Sequence, residues 1–424
     1  MHTLKEIYQD NEERNFIDPS LYSRYRVKAG LRNDNGTGVK VGLTKICDVI
    51  GYKIIHEKKY NIDGQLIYRG YPINYLVNKQ PSDKICGFEE TAYLLIFGTL
   101  PNADQLKTFK DYLLNFKMGP VDLQYETPNI LNALQIEVLK LYAKDPSADT
   151  DDLEERMMKG LKILASIPLF TFSYARNKVF KSYPYPDRSL AENILCMARG
   201  NDQYTFEEAK IMDTLLMVHA DHGGGNNSTF ANVVISSTGT DIYSCISAAI
   251  GSLKGPKHGG ANCKVTNMFK AIFHEVGFTT DKATLKKIAN RILDKDFFDH
   301  SGLIYGIGHA IYTKSDPRAL LIHEQCEALA KSKGQKEIYN CIHAFEKVAI
   351  EVMKERKGID VCANVDYYSG YVYSLLGIES NLFTPLFAIS RTAGWVSHHL
   401  ENRQSNRKLI RPANVYVGEM EEIK

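Results

Sequence analysis

From about residue 80 onward the chain is written in helical periods, and this constrains its fold more than any other feature. Apolar residues three and four apart share one helix face. Leu106, Phe109, Leu113 and Phe116 follow Asp104 at that spacing. Helix-start chemistry precedes other runs. Ser82 is placed to cap a helix through FEETAYLLIF, which Gly98 and Pro101 would end. The segment DDLEERMMKGLKILASIPLFTFSYARN sets acids in its first turn, where the helix dipole favours them, and its Pro168 is expected to kink or divide the helix. Thr205 with Glu208 fits a capping box. Further helices are expected over 240–253, 281–293, 319–333, 335–356, 368–376 and 383–400. Strand signals concentrate in YKIIHEKKYNIDGQLIYRGYPI, where Asp63-Gly64 reads as the turn of a β-hairpin. There is neither strand–helix alternation nor an internal repeat. The expected fold is mainly α with a small N-terminal β-hairpin.

The 424 residues, 44% of them hydrophobic, provide two or three domains' worth of core. A net charge of +2 with scattered basic residues argues against nucleic acid as a partner. The eight cysteines (Cys47, Cys86, Cys196, Cys245, Cys263, Cys326, Cys341 and Cys362) form no C-x-x-C pair, which suits reduced thiols. The first residues carry no long apolar run and several acids, so neither a secretory signal nor a transit peptide is expected. No stretch approaches the apolar length of a membrane span. These features predict a cytoplasmic protein that does not associate with membranes.

Four stretches could carry chemistry. In HADHGGGNNST, His219 and His222 lie near a helix end with Asp221 between them. They could begin a zinc site, or close a helix with a glycine-rich turn. No third ligand is placed by spacing, so no metal is expected. In LKGPKHGGAN, His258 stands between Pro256 and Gly259-Gly260, which hold an imidazole at a tight break in the chain or simply link two helices. In GLIYGIGHAIYTKSDPR, glycines precede His309, and Arg318 follows Pro317. The guanidinium fork matches a carboxylate, although Arg318 could equally occupy an exposed first turn. In ANVDYYSG, Asp366 is either an N-cap or a general base. Arg391, in the apolar run FAISRTAGW, requires an anion if buried, and Arg411 precedes Pro412 in the tail. The inventory suits removal of a proton α to a carbonyl, with arginines holding a polyanionic small molecule.

GPKHGGAN, GIGHAIYTKSDPR, NVDYYSG and FAISRTAGW, in this order and at these spacings, resemble citrate synthase, as do IDGQLIYRGYPI and ETAYLLIFGTLP nearer the start. The resemblance runs from about residue 45 to 418. It implies a two-domain, all-helical homodimer, with residues 1–262 and 378–424 as a large domain and 263–377 as a small mobile one. It also implies roles. Asp366 would take a proton from acetyl-CoA, His258 would stabilise the enol(ate), and His309 would polarise the oxaloacetate ketone. His222, Asn226, Arg318 and Arg391 would hold oxaloacetate, with Arg411 reaching in from the other subunit. Leu303, Ile304, Gly308 and Lys314 would contact CoA, which is a substrate, so no cofactor is implied. Three departures bear on the acyl donor: Gly223 stands where a glutamate is frequent, Ile307 where an aromatic is frequent, and Tyr367 is bulkier than in some members. A 2-methylcitrate synthase, using propionyl-CoA through the same residues, is the alternative. A metal-dependent hydrolase and a non-catalytic metabolite-binding regulator are more distant ones.

Overall fold

A computed structural model describes residues 16–119, 127–405 and 408–418, with residues 9 and 123. Two compact units emerge, Met1–Gly42 with Ile410–Lys424, and Leu43–Leu409. In the smaller unit lie the short helix α1 (Ser20–Arg24), a 3-10 turn (Ala29–Leu31) and an Arg32–Gly38 bridge.

The larger unit opens with an antiparallel sheet of β1 (Cys47–Ile55), β2 (Lys58–Tyr68) and β3 (Tyr71–Pro72), in that order. Its first turn is His56-Glu57, both with positive φ (46° and 64°), rather than Asp63-Gly64. Asp63-Gly64 instead lies in a bulge. Ile50 pairs with Gln65 but Tyr52 with Asn61, which leaves residues 62–64 facing Gly51 alone. The bulge brings the sheet against the segment 311–315. A Cβ on Gly64 would stand 2.1 Å from the Ser315 carbonyl oxygen, and one on Gly51 2.4 Å from that of Ile311. Both positions therefore require glycine.

Helices follow: α2 (Ile73–Asn78), α3 (Gly87–Phe97), α4 (Ala103–Leu114), α5 (Ile130–Ala143), α6 (Leu153–Arg176), α7 (Leu190–Arg199), α8 (Phe206–His219), α9 (Asn227–Ser236), α10 (Ile242–Leu253), α11 (Ala261–Val276), α12 (Lys282–Leu293), α13 (Pro317–Ser332), α14 (Lys336–Lys357), α15 (Val365–Leu375) and α16 (Phe383–Gln404). The mainly helical expectation is met, and α1, α2, α5, α7, α9 and α11 are additional to the expected segments. Ser82 does not cap α3. The Asp213 carboxylate of α8 accepts the Gly87 and Phe88 amides, each at 2.8 Å, and Gly98 ends the helix at φ 88°. Nor does Pro168 divide α6, which is continuous across it. Residues Ile163–Ser173 are all buried, and that packing outweighs the cost of an interior proline, about 3 kcal/mol. The Thr205–Glu208 capping box is present, and a second, Ser189–Glu192, opens α7.

Helix α16 runs through the core, with Trp395 fully buried, and packs on α3, α6, α8, α9 and α10. A second group packs largely on itself: α12 on α14, α13 on α14 and α15, and α11 on α15. Among the described residues no helix is long and apolar enough to cross a membrane. All eight cysteines are free.

Candidate active site

His258 follows α10 in a tight turn in which its amide donates to Gly255 O (2.9 Å) and that of Gly259 to Leu253 O (2.9 Å). A Cβ on Gly259 would lie 2.6 Å from Leu253 O, so the glycine is a steric necessity. The turn sets the ring against the start of α9. The Ser228 amide donates to His258 Nε2 at 3.3 Å, and Ser228 Oγ lies 3.0 Å from the same nitrogen. An amide can only donate, so Nε2 is the acceptor and the ring proton sits on Nδ1. Burial, then the Arg391 charge, pull the pKa down to about 4, keeping the imidazole neutral. Trp395 Nε1 donates to Ser228 Oγ (3.3 Å), and that hydroxyl lies 3.0 Å from Asn226 Oδ1.

His309 is fixed in the opposite tautomer. Its Nδ1 accepts the Ile311 and Tyr312 amides, each at 3.1 Å, which leaves the proton on Nε2. The ring stacks on Tyr312, with centroids 4.6 Å apart, and the edge of His222 stands 5.1 Å away. His222 is buried, and its Nε2 has no hydrogen-bond partner. Burial and then Arg318 push its pKa well below the usual range.

A short pairing of two loops joins His309 to Asp366. Ile307 bridges Ala363, Gly308 N donates to Cys362 O (2.8 Å), and Asn364 N to Gly306 O (2.8 Å). Asn364, not Asp366, caps α15, accepting the Asp366 amide at 3.0 Å. The Asp366 side chain is thus released from capping. It is half-buried overall, but Oδ1 is fully enclosed and unpartnered. Burial pushes its pKa up to about 7, against the pull of Arg318.

Arg318 is buried rather than on an exposed first turn. Asp316 grips it with two oxygens (Nε–Oδ1 3.0 Å, Nη2–Oδ2 2.7 Å) and accepts the Val365 amide at 3.2 Å. One carboxylate therefore ties the arginine to the helix bearing Asp366. Arg391 has no exposed surface. Its Nε donates to His219 O at 2.7 Å, while both terminal nitrogens lack a hydrogen-bond partner. Buried guanidinium nitrogens without acceptors are costly, and an anion is the group that would satisfy them.

Electrostatics links these side chains: Arg318, His309, Arg391 and His258 bear on His222, Arg391 bears on His258, and Arg318 and Arg391 bear on Asp366. Asn226 borders them through Ser228. Leu303 is exposed, Ile304 buried, Gly308 is at φ 99°, and Lys314 is exposed. Arg411 belongs to the smaller unit, whereas the other candidate residues belong to the larger one. His219 is a buried residue at the end of α8. Its Nδ1 donates to Leu215 O (2.7 Å), its ring packs on Phe387, and Asp221 pairs with His398. Among the described residues no group of three or more His, Cys, Asp or Glu could hold a metal. Ser228 and Asp316 escaped the sequence reading. Only the Asp-Pro helix start pointed to Asp316, and only as a cap.

A family model described as "Citrate synthase, C-terminal domain" matches residues 33–413. Citrate synthase of Haloferax volcanii is 37% identical over 87% of this chain and 94% of its own length. The 2-methylcitrate synthase 1 of Corynebacterium glutamicum is 33% identical over 83% of this chain and 89% of its own. Among solved structures, citrate synthase of Thermoplasma acidophilum, in a ternary complex with carboxymethyl coenzyme A and oxaloacetate, aligns with a TM-score of 0.74. It is 26% identical, covering 94% of this chain and 98% of that one.

Proposed function

Because the chain belongs to the citrate synthase family, we propose that it condenses acetyl-CoA with oxaloacetate and water to give citrate and CoA. The Asp366 carboxylate takes a proton from the acetyl methyl group. His258 donates its Nδ1–H to the oxygen of the resulting enol(ate). The enol carbon attacks the oxaloacetate ketone, polarised by the Nε2–H of His309, to give citryl-CoA. Water then cleaves the thioester, releasing CoA and citrate. Arg318, Arg391 and His222, with Asn226 beside them, hold the oxaloacetate carboxylates. Leu303, Ile304, Gly308 and Lys314 contact CoA. The observation that carries this reading is the pair of oppositely fixed tautomers, one imidazole presenting Nδ1–H and the other Nε2–H, together with a carboxylate oxygen that has no hydrogen-bond partner.

The same reading makes the protein a cytoplasmic homodimer in which residues 263–377 close over bound oxaloacetate, with Arg411 serving the partner's site. Closure would exclude water from the thioester until condensation is complete. Propionyl-CoA is the competing donor, supported by the 2-methylcitrate synthase among the relatives. One added methylene changes discrimination by only about 1–3 kcal/mol. Thiol release is to be measured with oxaloacetate and each acyl-CoA. A higher kcat/KM with acetyl-CoA is expected; a clear preference for propionyl-CoA reassigns the donor, and no release with either rejects the reading.

A further inference from the structure

One face of α16 is fastened to the segment that ends in His222. The Ser390 hydroxyl donates to Leu216 O, Arg391 Nε to His219 O at 2.7 Å, and the Gly394 amide to Ala220 O at 3.1 Å. His398 Nε2 completes the row, 3.1 Å from Asp221 Oδ2. Positions 390, 394 and 398 recur every four residues and share one stripe. A Cβ on Gly394 would lie 2.5 Å from both Ala220 O and Asp221 Oδ1, so Asp221 is pressed directly onto the helix.

The Asp221 carboxylate is divided between its two oxygens. Oδ2 accepts the Gly223 amide at 3.1 Å and faces His398, whereas Oδ1 is buried with no partner at hydrogen-bond geometry, the Cys47 thiol being a further polar group that acts on this carboxylate. Burial alone would favour its neutral form, but the charge and hydrogen bond of His398, then Arg391, hold its pKa down to about 2. An ionised carboxylate only accepts, so the proton between the two lies on His398 Nε2. Arg391 presents the complementary situation. Desolvation works against its charge, and Asp221 is the foremost group sustaining it. A buried carboxylate with a spare oxygen thus lies near a buried guanidinium with two spare nitrogens, yet no ion pair joins them. At low dielectric such groups attract strongly, and something must hold them apart.

We propose that His398 is a positioning residue that restrains Asp221 from closing onto Arg391, so that the guanidinium fork stays open for a substrate carboxylate. This rests on Arg391 being an oxaloacetate ligand. Without the His398 N–H, Asp221 rotates to Arg391 and competes with the substrate.

Oxaloacetate affinity is to be measured by calorimetry, and KM and kcat by thiol release, on the intact protein. His398→Ala should raise Kd and KM for oxaloacetate by about tenfold or more, with a smaller fall in kcat. His398→Gln, whose amide can donate at the same place, should restore most of the affinity. The decisive variant is the double one. Asp221→Asn combined with His398→Ala should bind oxaloacetate more tightly than His398→Ala alone, because a neutral amide does not compete for Arg391. His398→Leu makes the same comparison if His398→Ala does not fold. A double variant that binds no better than the single one, or a single variant within about twofold of the native affinity, overturns the proposal. Failure of the native protein to bind oxaloacetate overturns the site assignment itself and is read from the first titration.

Discussion

Asp366 carries an enclosed carboxylate oxygen to which no protein group donates a hydrogen bond, on a side chain whose capping duty is done by Asn364. Its pKa, pushed up to about 7 by burial, sets the direction of its pH dependence. The base form predominates above that value and declines below it, so condensation measured as kcat/KM should climb as pH rises through about 7 and fall below it. His258, held to about 4, is neutral throughout the working range and should add no limb between about pH 5 and 9. Asp366→Ala should lower turnover by about 10²–10⁴-fold while oxaloacetate still binds, because Arg391 and His222 are unchanged. Thiol release and calorimetry on the same preparation check both halves. Turnover within tenfold of the native rate would remove Asp366 from the role of base.

At the scale of elements, the sheet acts on the site through two glycines. Gly64 offers its amide to Ser315 Oγ at 3.1 Å and leaves room for the loop between His309 and Arg318. Gly64→Ala should destabilise the fold by about 1–3 kcal/mol and raise KM for oxaloacetate, since the loop must retreat from the added methyl. Thermal melts and steady-state kinetics test this, and a variant with native KM would show that the loop is set from its other side. The same segment marks what the sequence made legible. Asp-Gly chemistry is visible there, but it serves a turn or a bulge equally well, and the true turn uses His56 and Glu57, residues that seldom adopt positive φ. Helices with caps and periodic faces were readable because their signals are local. His258, His309 and Asp366 stood out because glycine, proline or asparagine flanks them. Their supports did not. Ser228 reaches His258 across 30 positions, Asp316 reaches Val365 across 49, and His398 reaches Asp221 across 177. A contact made through a backbone amide or across two folded helices leaves no spacing to find.

For the whole molecule, oxaloacetate should act as a folding ligand. At a hundred times its Kd it adds about 2.7 kcal/mol of stability, and acetyl-CoA alone should add less if closure over oxaloacetate builds the second site. Hydrogen exchange should then slow across residues 263–377 on adding oxaloacetate. The proposed dimer has a sharper test. Arg411 sits in the unit formed by the chain ends, whereas Asp366 sits in the unit spanning residues 43–409. If Arg411 serves the partner's site, Asp366→Ala and Arg411→Ala lesions complement each other. A mixed dimer then has one site with both lesions and one with neither. Unfolding the two inactive variants together and refolding them gives mixed dimers as half the population, each with one working site of two, so activity should return to about a quarter of native. If Arg411 acts within its own subunit, every site in the mixture carries one lesion, and the mixture is no more active than the mean of its parents.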